Sequence, residues 1–209
     1  MILPAKLKTT LLATLIIITF SSCVVSSDIS YTKTHPLVES GRSLIGVVTK
    51  YDSGYYEGGY PPEDSGACSD VIERTLRNNN YDLKTKIDAD MKSYPSRYFS
   101  DYDSNINFRR VRNIKIFLDN HAISFPTCTD SSCFNDSDWQ AGDIVTFDQI
   151  PENLWHIAIV SNKTKTLKDD ELIKIPYLIH NHGGGVEEDN MLLTWPAPIS
   201  GHYRISEII

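Results

Sequence analysis

The sequence predicts an α+β fold, with helices in the first half of the chain packed on an antiparallel sheet built from the second half. Three observations carry this. Apolar residues return at three- and four-residue spacing in CSDVIERTL (68–76) and RRVRNIKIFLDNH (109–121), the period of a helix with one buried face. Short β-branched and apolar runs, DIVTF (143–147), HIAIVS (156–161) and IPYLIHN (175–181), mark strands. Helical pattern precedes strand pattern without alternating with it, which argues against a βαβ winding. With 209 residues, 41% of them hydrophobic, the chain can bury one ordinary core, and one domain is expected.

The chain opens with Lys6 and Lys8, the apolar run Leu11 to Phe20, and Ser21-Ser22-Cys23. Residues 1–22 read as an export signal of the bacterial lipoprotein kind, with Cys23 becoming the lipidated first residue that anchors the protein to a membrane. An ordinary cleaved signal is the alternative. Val24 and Val25 follow, with no aspartate after the cysteine, which by resemblance to Gram-negative lipoproteins places the anchored protein at the periplasmic side of the outer membrane. Loss of residues 1–22 removes two lysines and no acid, taking the formal charge from −7 to −9. That charge excludes nucleic acid as an expected partner. Residues 23–43 are polar and weakly patterned and read as a tether. The folded body then runs from 44 to 209.

Within the body, LIGVVTKY (44–51) reads as a strand or entry segment. YDSGYYEGGYPPEDSGA (51–67) is a loop, and its four tyrosines, Tyr60 among them, either pack on the surface or wall a substrate groove. The helical pattern that begins at Cys68 stops at Asn78-Asn79-Asn80. Residues 92–108 look irregular, and 122–138 form a second loop. NKTKTLKDD (162–170) is a turn or hairpin excursion, HGGGVEED (182–189) closes the strand before it, and GHYRISEI (201–208) is a last strand.

Cysteine arithmetic isolates one thiol. An exported protein meets an oxidising compartment, in which CTDSSC (128–133) can close as a Cys128–Cys133 disulfide. With Cys23 lipidated, Cys68 is left over as buried filler or nucleophile. Its place in the first turn of a helix favours the thiolate, and the same unpaired N–H groups can hold an oxyanion. His156 and His180 fall on adjacent predicted strands, so one could take the thiol proton while the other orients it. A zinc site using His180, His182 and a cysteine competes for these residues. No CxxC pair or HExxH run is present, and no metal or other cofactor is expected.

GVVTKYDSGYY, YPPEDSGACSDVIERTLR, DADM, NINFRRVRN, WQAGDIVTF, HIAIVS, IHNHGGG, EED and GHYR, in that order, closely resemble the bacterial envelope family called domain of unknown function 1287, over residues 45–204. That family looks like a branch of the NlpC-type papain-like superfamily, many of whose members hydrolyse amide bonds in peptidoglycan stem peptides. The resemblance implies Cys68, in a Cys-Ser pair, as nucleophile, His156 as base and His180 as the third member, with Asn181 in reserve. It implies a peptidoglycan peptide or other amide as substrate. A monomer is expected. Tyr60, Asp70, Arg109 and Arg110 become candidate substrate contacts; the two arginines could fork onto a substrate carboxylate, or pair with the acids of DADM or cap the helix. Gly183 to Gly185 would serve a turn near the cleft. Ala67 before the cysteine and Asp70 two residues beyond it depart from the usual Asp-Cys-Ser-Gly surroundings.

Overall fold

The computed structural model describes residues 29–99, 101–130, 133–148, 155–167 and 170–208. Cys23 and the signal segment lie outside them. The elements are β1 (Ile29–Tyr31), α1 (Pro36–Arg42), β2 (Lys50–Tyr51), β3 (Ser65–Gly66), α2 (Cys68–Asn78), α3 (Leu83–Ser93), α4 (Val111–His121), β4 (Ile123–Ser124), β5 (Ile144–Phe147), β6 (His156–Leu167), β7 (Asp170–Asn181), β8 (Val186–Asp189) and β9 (Ile199–Arg204). The fold is α+β, as the sequence predicts.

The main sheet has the order β4-β9-β5-β6-β7-β8, with β1 added to β6, and every pairing in it is antiparallel. Its centre, β5 to β8, is a meander of neighbours in sequence. Alternation along these strands gives two apolar faces. Ile144, Ile157, Ile159 and Ile179 meet Leu37, Val71, Ile72, Ile114 and Leu118 of the helices. Val145, Phe147, Ala158, Val160 and Leu178 form a second cluster with Trp139, Leu192 and Ala197. Both faces are therefore covered. No helix among the described residues is long and apolar enough to cross a membrane.

Four departures from the sequence reading have local causes. From Ile29 on, the expected tether is folded: Ile29 pairs opposite Lys165, and α1 buries Leu37 and Val38. The start of α1 carries its own signal, with Pro36 in the first turn and His35 Nδ1 accepting the Leu37 N–H at 3.2 Å. LIGVVTKY is mostly helical turn, because Leu44 and Val48 are buried four residues apart while Ile45 and Val47 face solvent; only Lys50 and Tyr51 are strand. Helix α3 buries Leu83, Ile87 and Met91 at four-residue spacing, and Asp82 caps it through the Thr85 N–H at 2.9 Å. The EED run is a strand, β8, instead of a closing turn. The excursion at 162–170 is the hairpin the sequence allows, with β6 reaching Leu167 opposite Asp170 at the start of β7.

Candidate active site

Helix α2 begins at Cys68, with Ala67 as its cap residue in extended conformation. Alanine has no side-chain acceptor, so Asp70 supplies the cap: its Oδ2 accepts the Ala67 N–H at 2.7 Å. Arg109 holds Asp70 from the other side, with Nε donating to Oδ1 at 2.7 Å and Nη2 to Oδ2 at 2.9 Å, both side chains at most 3% exposed. The same guanidinium donates to the carbonyls of Gly54 and Asp52. One buried ion pair thus pins the tyrosine-rich loop to the turn that carries the thiol.

The sheet opens where that turn meets it. Registered pairing of β6 with β7 ends at Ile159–Ile179, so the start of β6 and the end of β7 are not laddered to each other. The segment Gly66–Cys68 fills the gap. Asn181 Nδ2 donates to Gly66 O at 2.8 Å and to Lys50 O at 3.1 Å, and the Cys68 sulfur accepts from the backbone N–H of Ile157, the residue next to His156.

His156 and His180 flank this opening. His156 Nε2 and His180 Nδ1 are 2.7 Å apart, and His180 Nε2 is 3.0 Å from Asp189 Oδ1. Asp189 has no role in the sequence reading, and its place beside His180 emerges only once β8 is paired with β7. Burial pushes the Asp189 carboxyl up, but hydrogen bonds from His180 and His182 oppose it, and the net shift is below the usual value. The carboxylate is therefore an acceptor, so His180 Nε2 carries a proton. With one proton per ring, His180 Nδ1 accepts from His156 Nε2–H, and the basic lone pair of the relay falls on His156 Nδ1.

Trp195 stacks on His156 with ring centroids 3.9 Å apart, and both border a cavity of about 170 Å³ lined also by Tyr51, Trp155, His182, Pro196 and Ala197. This is smaller than the roughly 300–1,000 Å³ of pockets that enclose a whole small ligand, and it suits the tip of a chain. Burial pushes the Tyr51 hydroxyl up to about 12. Tyr51 lines the cavity and pairs with Gly66, so it joins the cavity to the turn that carries the thiol.

The expected thiolate is not the resting state. Cys68 is 3% exposed, and burial pushes its thiol up to about 11 against the hydrogen bonds from Ile157 and Ser69 that oppose it. His156, 5% exposed, is driven the other way, to about 2, by burial and then by the neighbouring His180 and His182. Desolvation outweighs the helix end, because both charged forms would lie in a nearly closed site. Cysteine and histidine rest neutral.

Four further candidates do not contact this cavity. Asp70 and Arg109 pair with each other, so the acids of DADM are not the partners of Arg109. Asp90 of that run instead meets Arg97, Tyr98 and His121. Arg110 is exposed beside Tyr98 and Tyr102. Tyr60 packs against Phe108 under Arg77. Asn181, fully buried, clamps the Gly183 and Gly185 N–H groups as well as Gly66, and His180 holds the position beside His156. Cys128 and Cys133 form the expected disulfide, and Cys68 is the free cysteine of the described residues.

The family model described as Domain of unknown function (DUF1287) matches residues 38–205, a span that contains Cys68, His156, His180 and Asp189. The chain belongs to the DUF1287 family. This DUF1287 chain is 36% identical over 177 residues to the uncharacterized protein YijF of Escherichia coli (strain K12), with 80% of each chain covered. No solved structure matches it.

Proposed function

We propose that this DUF1287 protein is a papain-like cysteine hydrolase that cleaves an amide bond, with peptidoglycan stem peptides as the substrate class. The observation that supports it is the His156–His180–Asp189 relay at the sheet opening that Cys68 enters from a helix N-terminus. His156 Nε2 is committed to His180, so Nδ1 is the nitrogen that exchanges protons with the thiol. The sulfur attacks the carbonyl carbon as its proton passes to Nδ1, and backbone N–H groups at the start of α2, that of Cys68 first, receive the oxyanion. The same proton then goes to the departing amine. Water, giving a proton to Nδ1, hydrolyses the thioester. Since thiol and imidazole rest neutral, transfer and attack are coupled and no standing ion pair is needed. The protein is proposed to be exported to the periplasm and held at the outer membrane by lipid on Cys23.

The test is release of new amino groups from cell-wall fragments by the purified protein. Cys68→Ala should abolish release while keeping the circular dichroism and melting temperature of the parent; equal release by the variant refutes the nucleophile.

The closed thiol favours one second reading, a non-catalytic envelope lipoprotein that binds peptidoglycan or a protein partner through the same cleft. Such a protein retains its affinity for cell-wall fragments in Cys68→Ala, and neither form releases anything from them.

A further inference from the structure

The end of the relay has donors beyond those that catalysis uses. His180 and His182 lie two residues apart at the end of β7, and Glu187 and Asp189 lie two apart on β8, with His180 opposite Glu187 in the ladder. The period of 2 sends all four toward one face. His180 Nε2 is 3.0 Å from Asp189 Oδ1, and His182 Nε2 is 3.3 Å from Asp189 Oδ2. The potential ligand atoms of His180, His182 and Asp189 all lie within 4.8 Å of one another. Around a tetrahedral zinc ion with bonds of about 2.0–2.1 Å, neighbouring donors stand about 3.3 Å apart, so small movements suffice. Glu187 Oε1, 2.7 Å from His182 Nε2, supplies a fourth donor or leaves that position to water.

We propose that His180, His182 and Asp189, with Glu187 beside them, form a site for a divalent transition metal of the zinc class, and that occupancy locks the proposed catalytic relay. Two imidazoles and carboxylate oxygens suit zinc better than magnesium or calcium, which favour oxygen alone. The remaining nitrogen of His180 already has a partner of the kind that steadies a ligating histidine, His156 Nε2 at 2.7 Å.

The lock, which rests on the hydrolase reading, follows from hydrogen-bond direction. Without metal, His180 Nε2–H donates to Asp189, His156 Nε2–H donates to His180 Nδ1, and His156 Nδ1 is free to accept. A metal on His180 Nε2 displaces that proton to solvent. The proton between the rings then belongs to His180 Nδ1, His156 Nε2 becomes the acceptor, and His156 takes a proton from solvent at Nδ1. Each ring still holds one proton, yet the nitrogen that must receive the thiol proton is already protonated. Cys68 is not a ligand in this arrangement, so the site differs from the zinc site that the sequence raised as a competitor.

Two measurements on the full chain in detergent, after chelator treatment, test the site apart from activity. Zn²⁺ titration by calorimetry should show one equivalent bound, and Co²⁺ should give ligand-field absorption that Zn²⁺ displaces. His182→Ala and Asp189→Asn should each weaken binding by about tenfold or more. Nitrogen-15 histidine spectra should show the His156 proton on Nε2 with chelator and on Nδ1 with zinc. Absence of stoichiometric binding, or binding unchanged in both variants, overturns the site; binding without the tautomer change overturns the lock. Zinc should then suppress release from cell-wall fragments in the parent protein and less in His182→Ala, whereas a zinc requirement for release would contradict the lock. A protein that passes the binding and tautomer tests yet releases nothing under chelation refutes the hydrolase reading and leaves the site standing.

Discussion

Replacing Asp70 by alanine tests whether one buried ion pair builds the thiol's surroundings. Asp70 accepts two bonds from Arg109, at 2.7 and 2.9 Å, and the Ala67 N–H at 2.7 Å. Its removal leaves a guanidinium 2% exposed with backbone carbonyls and the Tyr56 ring as partners and no counter-charge bonded to it. An uncompensated buried charge of this kind costs about 3–5 kcal/mol, and loss of the helix cap adds about 1 kcal/mol. Arg109→Met with Asp70→Ala removes both charges together and should cost clearly less than the two single changes summed. Urea unfolding with an unchanged slope measures this. The alkylation rate of Cys68 at constant pH should also rise in Asp70→Ala, because the turn is no longer pinned to the loop at Gly54. A cost under about 1 kcal/mol with unaltered alkylation would refute the structural role and return Asp70 and Arg109 to the list of substrate contacts.

Cys68 should destabilise the protein at high pH. Its folded value of about 11 lies above the unfolded thiol's 9.0, so its contribution is complete below about 9 and is lost as pH rises toward 11. Buried tyrosines titrate nearby, so the reading is the difference from Cys68→Ala, whose stability should fall less over that window. His156 acts at the other end: held to about 2 against 6.5, it contributes above about 6.5, and that contribution is lost as acid protonates the unfolded chain. His156→Gln should therefore show a shallower loss between pH 6.5 and 4 in denaturant titrations; an identical slope contradicts the burial of a neutral ring. Asp189→Asn should lower turnover on cell-wall fragments by up to about 10⁴-fold with little change in KM, as when a carboxylate that orients a catalytic histidine becomes an amide. A change confined to KM would place Asp189 in binding.

What could be read from the chain divides along the physics of its signals. Periodicity located α2, α4 and the cores of β5, β6 and β7, because their apolar faces are long enough to repeat. It missed α1 and α3: α1 is seven residues long, and α3 shows only Leu83, Ile87 and Met91 among charges. The pairing of His156 with His180 was legible from order and strand phase. Asp189 was not, since an EED run reads equally well as a solvated turn until β8 is paired with β7. The fate of Arg109 lay beyond any local pattern. Its partner is 39 residues away, and the arginine sits in a 3₁₀ turn, Asn107–Arg109, that only tertiary packing brings beneath α2. The resting state of Cys68 departs from the expectation for the same reason: a helix end is local and visible in the sequence, whereas the burial that outweighs it is set by tertiary packing.

The most direct measurement is mass analysis of defined muropeptides before and after incubation with the metal-free protein, with Cys68→Ala alongside. A cysteine hydrolase yields products that together have gained one water at a single amide, and it yields them only with Cys68 present. Identical masses before and after, with cell-wall fragments still bound by both proteins, contradict hydrolysis and leave the cleft as a binding site.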